Sequence, residues 1–287
     1  GFGKSAGLVQ VEELGTLETP IALTNTLNVG KVWDAMVDIV VEQCEQDGLE
    51  PMSINPVVGE CNDSRINQIQ KRVVGADEVR QAFASASEEF EEGDVGAGAG
   101  TICYGLKGGI GSASRVIRIG EKEYTIGVLV QSNFGATEDF VLNGESVGAK
   151  ILDWKQEKDD MAASEEDKGS IMSILATDLP LTSRQLRRIL RRTGVGIART
   201  GGYTGHGSGE VMIGFTTANR IPSGAEEELL QIQAIPEHVI NRAFLAAAEA
   251  EQEAILNSMT AAERTRGQAG ELYYSLSEYL EDQDSKQ

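Results

Sequence analysis

Residues 165–178 read Glu-Glu-Asp-Lys-Gly-Ser-Ile-Met-Ser-Ile-Leu-Ala-Thr-Asp. A charged run stops at Gly169, and Ser170 then opens an apolar stretch with the composition of a buried strand. A loop-to-strand junction needs no Gly-Ser pair, whereas a self-cleaving peptide bond does. A serine hydroxyl held over the preceding carbonyl attacks it, the acyl group passes from nitrogen to oxygen, and hydrolysis of the ester leaves a new N-terminus. Glycine at 169 would let the backbone enter strained φ/ψ without a Cβ clash. The freed serine would carry a hydroxyl nucleophile and an α-amine, whose reference pKa of roughly 7.7–8.0 suits general-base work near neutrality. From these residues alone, an ordinary loop-to-strand serine is the competing reading.

On either side of this junction the pattern mixes strands and helices. Upstream, Gly7 to Thr26 alternates around Pro20 and reads as two short strands. Lys31 to Gln46 has Val32, Met36, Val37, Val40 and Cys44 at helical spacing, with Gly48 as a stop. Asp77 to Glu92 reads as a second helix with Val79, Phe83 and Phe90 on its apolar side. Strands are expected at Arg115–Ile119 and Tyr124–Gln131, and residues 153–169 as an exposed, mobile charged loop. Downstream come a helix from about Ser183 to Arg192, a glycine-rich turn, a strand in VMIGFTT, and a long helix from about Pro236 to Met259. No period repeats, so the expected class is α+β or a layered sandwich, not a regular βαβ alternation.

The 287 residues carry 25 Lys+Arg against 45 Asp+Glu, a formal net charge of −20. Such a surface repels nucleic acid and anionic membranes, and no apolar run approaches the ~18–20 residues of a membrane span. The acidity is uneven, with 14 Lys+Arg against 30 Asp+Glu before residue 170 and 11 against 15 after it. Cys44, Cys61 and Cys103 are odd in number, widely spaced and without a CxxC. They read as reduced thiols of a cytoplasmic-type protein. The chain opens Gly1-Phe2-Gly3-Lys4 without methionine or signal pattern, so its true start is expected upstream.

Other motifs fall away on inspection. Gly3-Lys4-Ser5 ends like a phosphate-binding loop, but its first glycine and preceding strand are not in view, and SAGLVQVEE reads as continuing strand. Gly96-Ala97-Gly98-Ala99-Gly100 follows an acidic helix where a dinucleotide fingerprint needs a strand. Two histidines, His206 and His238, and three scattered cysteines offer no metal cluster. His238 reads as a helix-start residue, and His206 as a turn residue that could neighbour a site.

Four segments carry a resemblance: GAGAGTICYGLKGGIGSASRV, YTIGVLVQSNFG, KGSIMSILATDLPL and ARTGGYTGHGSGE. Together, and in this order, they resemble the DmpA/BapA-type self-processing aminopeptidases, which include L-aminopeptidase D-amidase/esterases and β-aminopeptidases. The similarity runs from Gly1 to about Ala248, and a family segment before GFGKSAG has no counterpart here. It implies an αββα sandwich of N-terminal-nucleophile-hydrolase-like architecture, with the topology shared by DmpA and ornithine acetyltransferases. It also implies cleavage into a larger chain, 1–169, and a smaller one, 170–287, and a tetramer of cleaved units.

Within that resemblance Gly169-Ser170 is the cleavage site and Ser170 the nucleophile. Ser208 and Glu210 in GSGE match the pair beside the nucleophile. Residues i and i+2 of an extended segment share a side, so both are expected to face Ser170. Asn133 matches the oxyanion donor, and Glu60 in VVGECND matches the acid near the substrate's free amine. Asn62 stands where the family often has tyrosine. The expected substrates are short peptides, amides or esters with a free amine, and neither cofactor nor metal is implied. A self-processing acyltransferase of the ornithine acetyltransferase type is the nearest rival, but it uses threonine as nucleophile. A non-catalytic relative would keep its chain intact.

Overall fold

The computed structural model describes residues 3–158, 169–222 and 228–286. Its centre is a four-stranded sheet made from the apolar runs on either side of the Gly-Ser junction. Strands β3 (Ile110–Ile119) and β4 (Lys122–Asn133) form an antiparallel hairpin, closed from Ile119↔Lys122 to Ile110↔Gln131. Gly120 takes φ +63 at the tight turn, a conformation glycine adopts without strain. Strand β5 (Ser170–Thr177) runs antiparallel to β4, and β6 (Gly209–Thr216) runs parallel to β5. The order across the sheet is β6-β5-β4-β3. A smaller parallel pair joins β1 (Ile21–Asn25) to β2 (Val57–Cys61), with Thr24 beside Glu60 and Asn25 beside Cys61.

The alternation of β5 decides what each face buries. Ile171 and Leu175 belong to the largest apolar cluster, together with helix α7 (Asn241–Thr260). The helix presents Ala243, Ala246, Ala247, Ala250 and Ala254, all buried, and these small side chains let its backbone lie close to the sheet. The approach is so close that a Cβ at Gly111 of β3 would sit 2.1 Å from the Ala254 carbonyl oxygen. On the opposite face Met172 of β5 and Ile213 of β6 pack with Val57 and Cys61 of β2. A Cβ at Gly59 would lie 2.4 Å from Met172 Cε, so this glycine sets the spacing of the two sheets. A third cluster joins Val58 to Val32, Ala35, Met36 and Ile39 of the helix Val29–Gln46, α2.

Several local expectations needed correction. Leu8–Leu14 is a helix rather than a strand, so only Ile21–Asn25 of the first pair is extended. The second helix spans only Ala76–Ser85; Val79 is buried, but Phe83 and Phe90 are exposed. The charged segment after Asp153 is helical at first, within Gly148–Glu157, and buries Trp154 and Lys155. Trp154 anchors that helix edge-to-face against Tyr274 and Tyr279, which outweighs the local charge density. Residues 159–168, the rest of the expected loop, lie outside the described residues. The strands around Ile110 and Lys122 run longer than their apolar cores suggest, while Ser183–Leu190 and Asn241–Thr260 fall near the expected helices. Two helices, Thr193–Arg199 and Leu276–Ser285, were not anticipated. Among the described residues no helix is long and apolar enough to cross a membrane.

Candidate active site

Ser170 is the first residue of β5, and both neighbouring strands position it. The register places Asn133, the last residue of β4, on one side and Gly209, the first of β6, on the other. The carbonyl oxygen of Gly169 accepts a hydrogen bond from Gly209 N–H at 3.0 Å. The peptide bond expected to be cut is therefore held in the sheet ladder by its own carbonyl. Gly169 itself does not take a left-handed φ. What demands glycine is proximity: a Cβ there would lie 1.9 Å from Asn133 O and 2.6 Å from Phe134 Cα. The strain expected from the sequence is replaced by a steric requirement.

A cavity of about 270 Å³ opens at this strand end, lined by Ser170, Gly169, Asn133, Glu60, Asn62 and Gly207 among others. Asn133 is nearly buried, and both ends of its carboxamide are oriented. Oδ1 accepts from Ile102 N–H at 3.0 Å, and Nδ2 donates to Asn62 O at 3.1 Å. Glu60, also buried, projects from β2. Its Oε1 accepts the Lys4 backbone N–H at 2.9 Å, and its Oε2 accepts the Thr26 hydroxyl. Lys4 N–H is thus spent on a carboxylate, which is incompatible with an anion-cradling loop at Gly3-Lys4-Ser5. Neither Thr26 nor the Ile102 amide carried a sequence signal, because both reach the site only through pairing between distant segments.

Cys61, next to Glu60, lies against the nucleophile strand and donates its thiol weakly to the carbonyls of Gln131, at 3.5 Å, and Ser170, at 3.6 Å. Burial pushes its pKa up to about 12. The thiol is therefore protonated at neutral pH and does not compete with Ser170 as a nucleophile.

The remaining expected residues are not gathered into the cavity. Ile171, facing Glu210 in the register, packs toward α7, whereas Met172 packs toward β2. By alternation Glu210 shares the face of Ile171, and Ser170 shares that of Met172, while Ser208 lies in the turn that precedes β6. Neither Ser208 nor Glu210 lines the cavity, although Gly207, the residue before them, does. Ser208 is fully buried, and its Oγ has no hydrogen-bond partner among the described residues. His206 is exposed in the same turn and does not line the cavity; His238 lies in a short 3-10 turn after Pro236.

Residues 1–273 match the family model described as peptidase family S58. The chain belongs to that family. Among S58 relatives, the β-peptidyl aminopeptidase BapA of Sphingosinicella xenopeptidilytica is 36% identical over 275 residues, covering 93% of this chain and 68% of the relative. The PH0078 protein of Pyrococcus horikoshii OT3 superposes with a TM-score of 0.88 at 45% identity, over 98% of this S58 chain and 76% of that one. The L-aminopeptidase D-Ala-esterase/amidase of Ochrobactrum anthropi gives a TM-score of 0.89 at 34% identity, over 98% and 77% respectively. That structure is described as a prototype of the serine aminopeptidases and a variant of the Ntn hydrolase fold. The S58 chain shares this fold, and its family and relatives place it among the aminopeptidases.

Proposed function

We propose that this chain is a self-processing serine aminopeptidase that acts on short peptides, amides or esters with a free N-terminal amine. The observation that carries the reading is the meeting of Gly169, Ser170, Asn133 and Glu60 at one cavity, with Asn133 in register beside Ser170.

In the maturation step, Ser170 Oγ attacks the Gly169 carbonyl carbon. The C–N bond breaks as the nitrogen takes up a proton, and the resulting ester is hydrolysed by water. The products are a carboxylate at Gly169 and a free amine on Ser170. In turnover, that amine accepts the Ser170 hydroxyl proton while Oγ attacks the substrate carbonyl. The leaving amine departs with a proton, and water releases the acyl group. Gly209 N–H, already on the Gly169 carbonyl oxygen, supports the oxyanion of maturation, and Asn133 Nδ2–H supports that of turnover, a contribution of ~3–4 kcal/mol where such donors have been removed. Glu60 receives the substrate ammonium.

Ser208, next to Gly209, has a buried hydroxyl without a partner among the described residues, and it becomes the group available to the new amine once cleavage lets residue 170 reorient. Glu210, two residues on, is the carboxylate that would orient this group. The order of the apolar clusters, from α7 through the large sheet and the β1–β2 pair to α2, supports a four-layer αββα reading.

Intact-mass measurement of the purified protein tests the scheme. A fragment beginning at Ser170 is expected, and Ser170→Ala should leave one chain without peptidase activity. Cleavage at any other bond would refute the mechanism.

A further inference from the structure

A buried cation paired with Ile102, the residue whose N–H holds Asn133, has no part in the scheme above. Lys107 has no exposed surface, although lysine is almost never fully buried without an ionic partner. Among the described residues it makes no ion pair. Its Nζ instead donates to two carbonyl oxygens, Gly98 O and Gly108 O, each at 2.8 Å. These carbonyls bracket the turn that presents Ile102, and Ile102 pairs with Lys107 itself in a two-residue antiparallel ladder. Ile102 N–H is the donor that holds Asn133 Oδ1.

The turn is pressed onto the strand end that carries Asn133. Ser132 N–H donates to Gly109 O at 2.9 Å, and a Cβ at Gly108 would lie 2.4 Å from Ser132 O. Desolvating an ammonium is costly, so a lysine held here by carbonyls alone calls for a role that its charge serves.

We propose that Lys107 is a positioning residue for the aminopeptidase reaction: its buried positive charge clamps the 98–108 turn so that Ile102 N–H holds the Asn133 carboxamide in its oxyanion-binding orientation. The inference rests on Asn133 acting as the oxyanion donor. Because Lys107 acts through Ile102 and Asn133, it alters the rate of the chemical step and leaves substrate binding nearly unchanged.

The titratable side chains on the segments packed against Lys107 include Asp94, Asp63, Cys103, Tyr104 and Tyr274, and a second buried lysine, Lys155, donates from Nζ to Gly105 O of the same turn at 2.5 Å. Asp63 lies beside Gly100, Cys103 is on the paired strand, and the Tyr274 carbonyl accepts Lys107 N–H. Burial pulls the Lys107 pKa down to about 8, and the Asp94 charge opposes that pull. The ammonium is therefore intact below about pH 8 and is lost above it, which gives kcat an alkaline limb.

The test compares kcat and KM across pH for an amino-acid p-nitroanilide with the unmodified chain, Lys107→Met, Asp94→Asn and Asn133→Ala. Lys107→Met should lower kcat about tenfold or more at pH 7, with KM within about twofold, and should lack the fall above pH 8. Asp94→Asn should keep the plateau kcat and move the limb to lower pH, and it serves even if Lys107→Met does not fold. A Lys107→Met enzyme with normal kcat, or a limb that stays in place in Asp94→Asn, overturns the inference while a slow Asn133→Ala leaves the oxyanion reading standing. A normal kcat in Asn133→Ala overturns that reading and this one with it.

Discussion

Two buried glutamates sit on opposite sides of the nucleophile strand and have opposite surroundings. Glu60 reaches the site from β2, with a donor on each oxygen, Lys4 N–H and Thr26 Oγ1, and one side on the cavity. Glu251 projects from α7 toward the other face. Its Oε1 accepts Ser173 Oγ at 2.5 Å, and its Oε2 has no partner among the described residues. Burial raises the Glu251 pKa to about 8, with the Ser173 hydrogen bond working against that rise. Sealed behind the sheet with one donor, Glu251 is a neutral acid at pH 7 and part of the packing. Glu60, with two donors and an open side, is placed to meet a ligand. Charge and local pattern do not distinguish them; the number of donors and access to the cavity do.

The largest effect is expected at the strand end on the Glu60 side. Gly169→Ala forces a Cβ into Asn133 O, so the strand end must shift. Self-cleavage should be abolished, and stability should fall by roughly 1–3 kcal/mol as in other overpacked sites. Mass spectrometry and denaturant unfolding report the two effects, and a variant cut at the normal rate would show that the close approach is not what matters.

Next in size is Asn133→Ala, expected to lower kcat about 10²–10³-fold with little loss of stability. Unfolding of the variant, or an unaltered kcat, would return Asn133 to a strand-end role.

Glu60 is probed through the substrate. A free amine paired with its carboxylate should be preferred over an N-acetylated one by on the order of a hundredfold in kcat/KM. Glu60→Gln should narrow that gap and leave the Gly169-Ser170 cut intact. Equal turnover of both substrates by the unmodified chain would mean that Glu60 only ties down Lys4 and Thr26.

Glu251→Gln addresses the sealed side and should leave kcat alone. The folded-state pKa of Glu251 is raised, so the folded protein holds a proton that the unfolded chain releases above about pH 4.5. The resulting penalty is absent below that pH, grows as pH rises toward 8, and is constant beyond. Glutamine removes it. The stability of the variant relative to the parent should therefore rise by on the order of 3 kcal/mol between pH 4.5 and 7. Melting temperatures at the two pH values measure this, and a constant difference would show that Glu251 is not a buried neutral acid.

The features legible in the chain are local. The apolar runs that became β4 and β5, the helical spacing of Val32 and Met36 in α2, and the charged-to-apolar switch at Gly169-Ser170 are all short-range patterns. Each is set by backbone period and side-chain hydration within a few residues. The motif resemblance added Asn133 and Glu60, which the fold brings to one cavity. Which way residues face and what they touch follow from long-range packing. Leu8–Leu14 coils into a helix because Leu8 and Val11 pack against the β2 cluster, overriding a weak local alternation. Glu210 takes the face of Ile171 because the pairing of Gly209 with Ser170 sets the phase of β6. Lys107 and Glu251 look like ordinary charged residues in the chain. Their chemistry comes from burial beneath segments far away in sequence, and the free energy of a charge depends on the water and donors around it, which the order of residues does not specify.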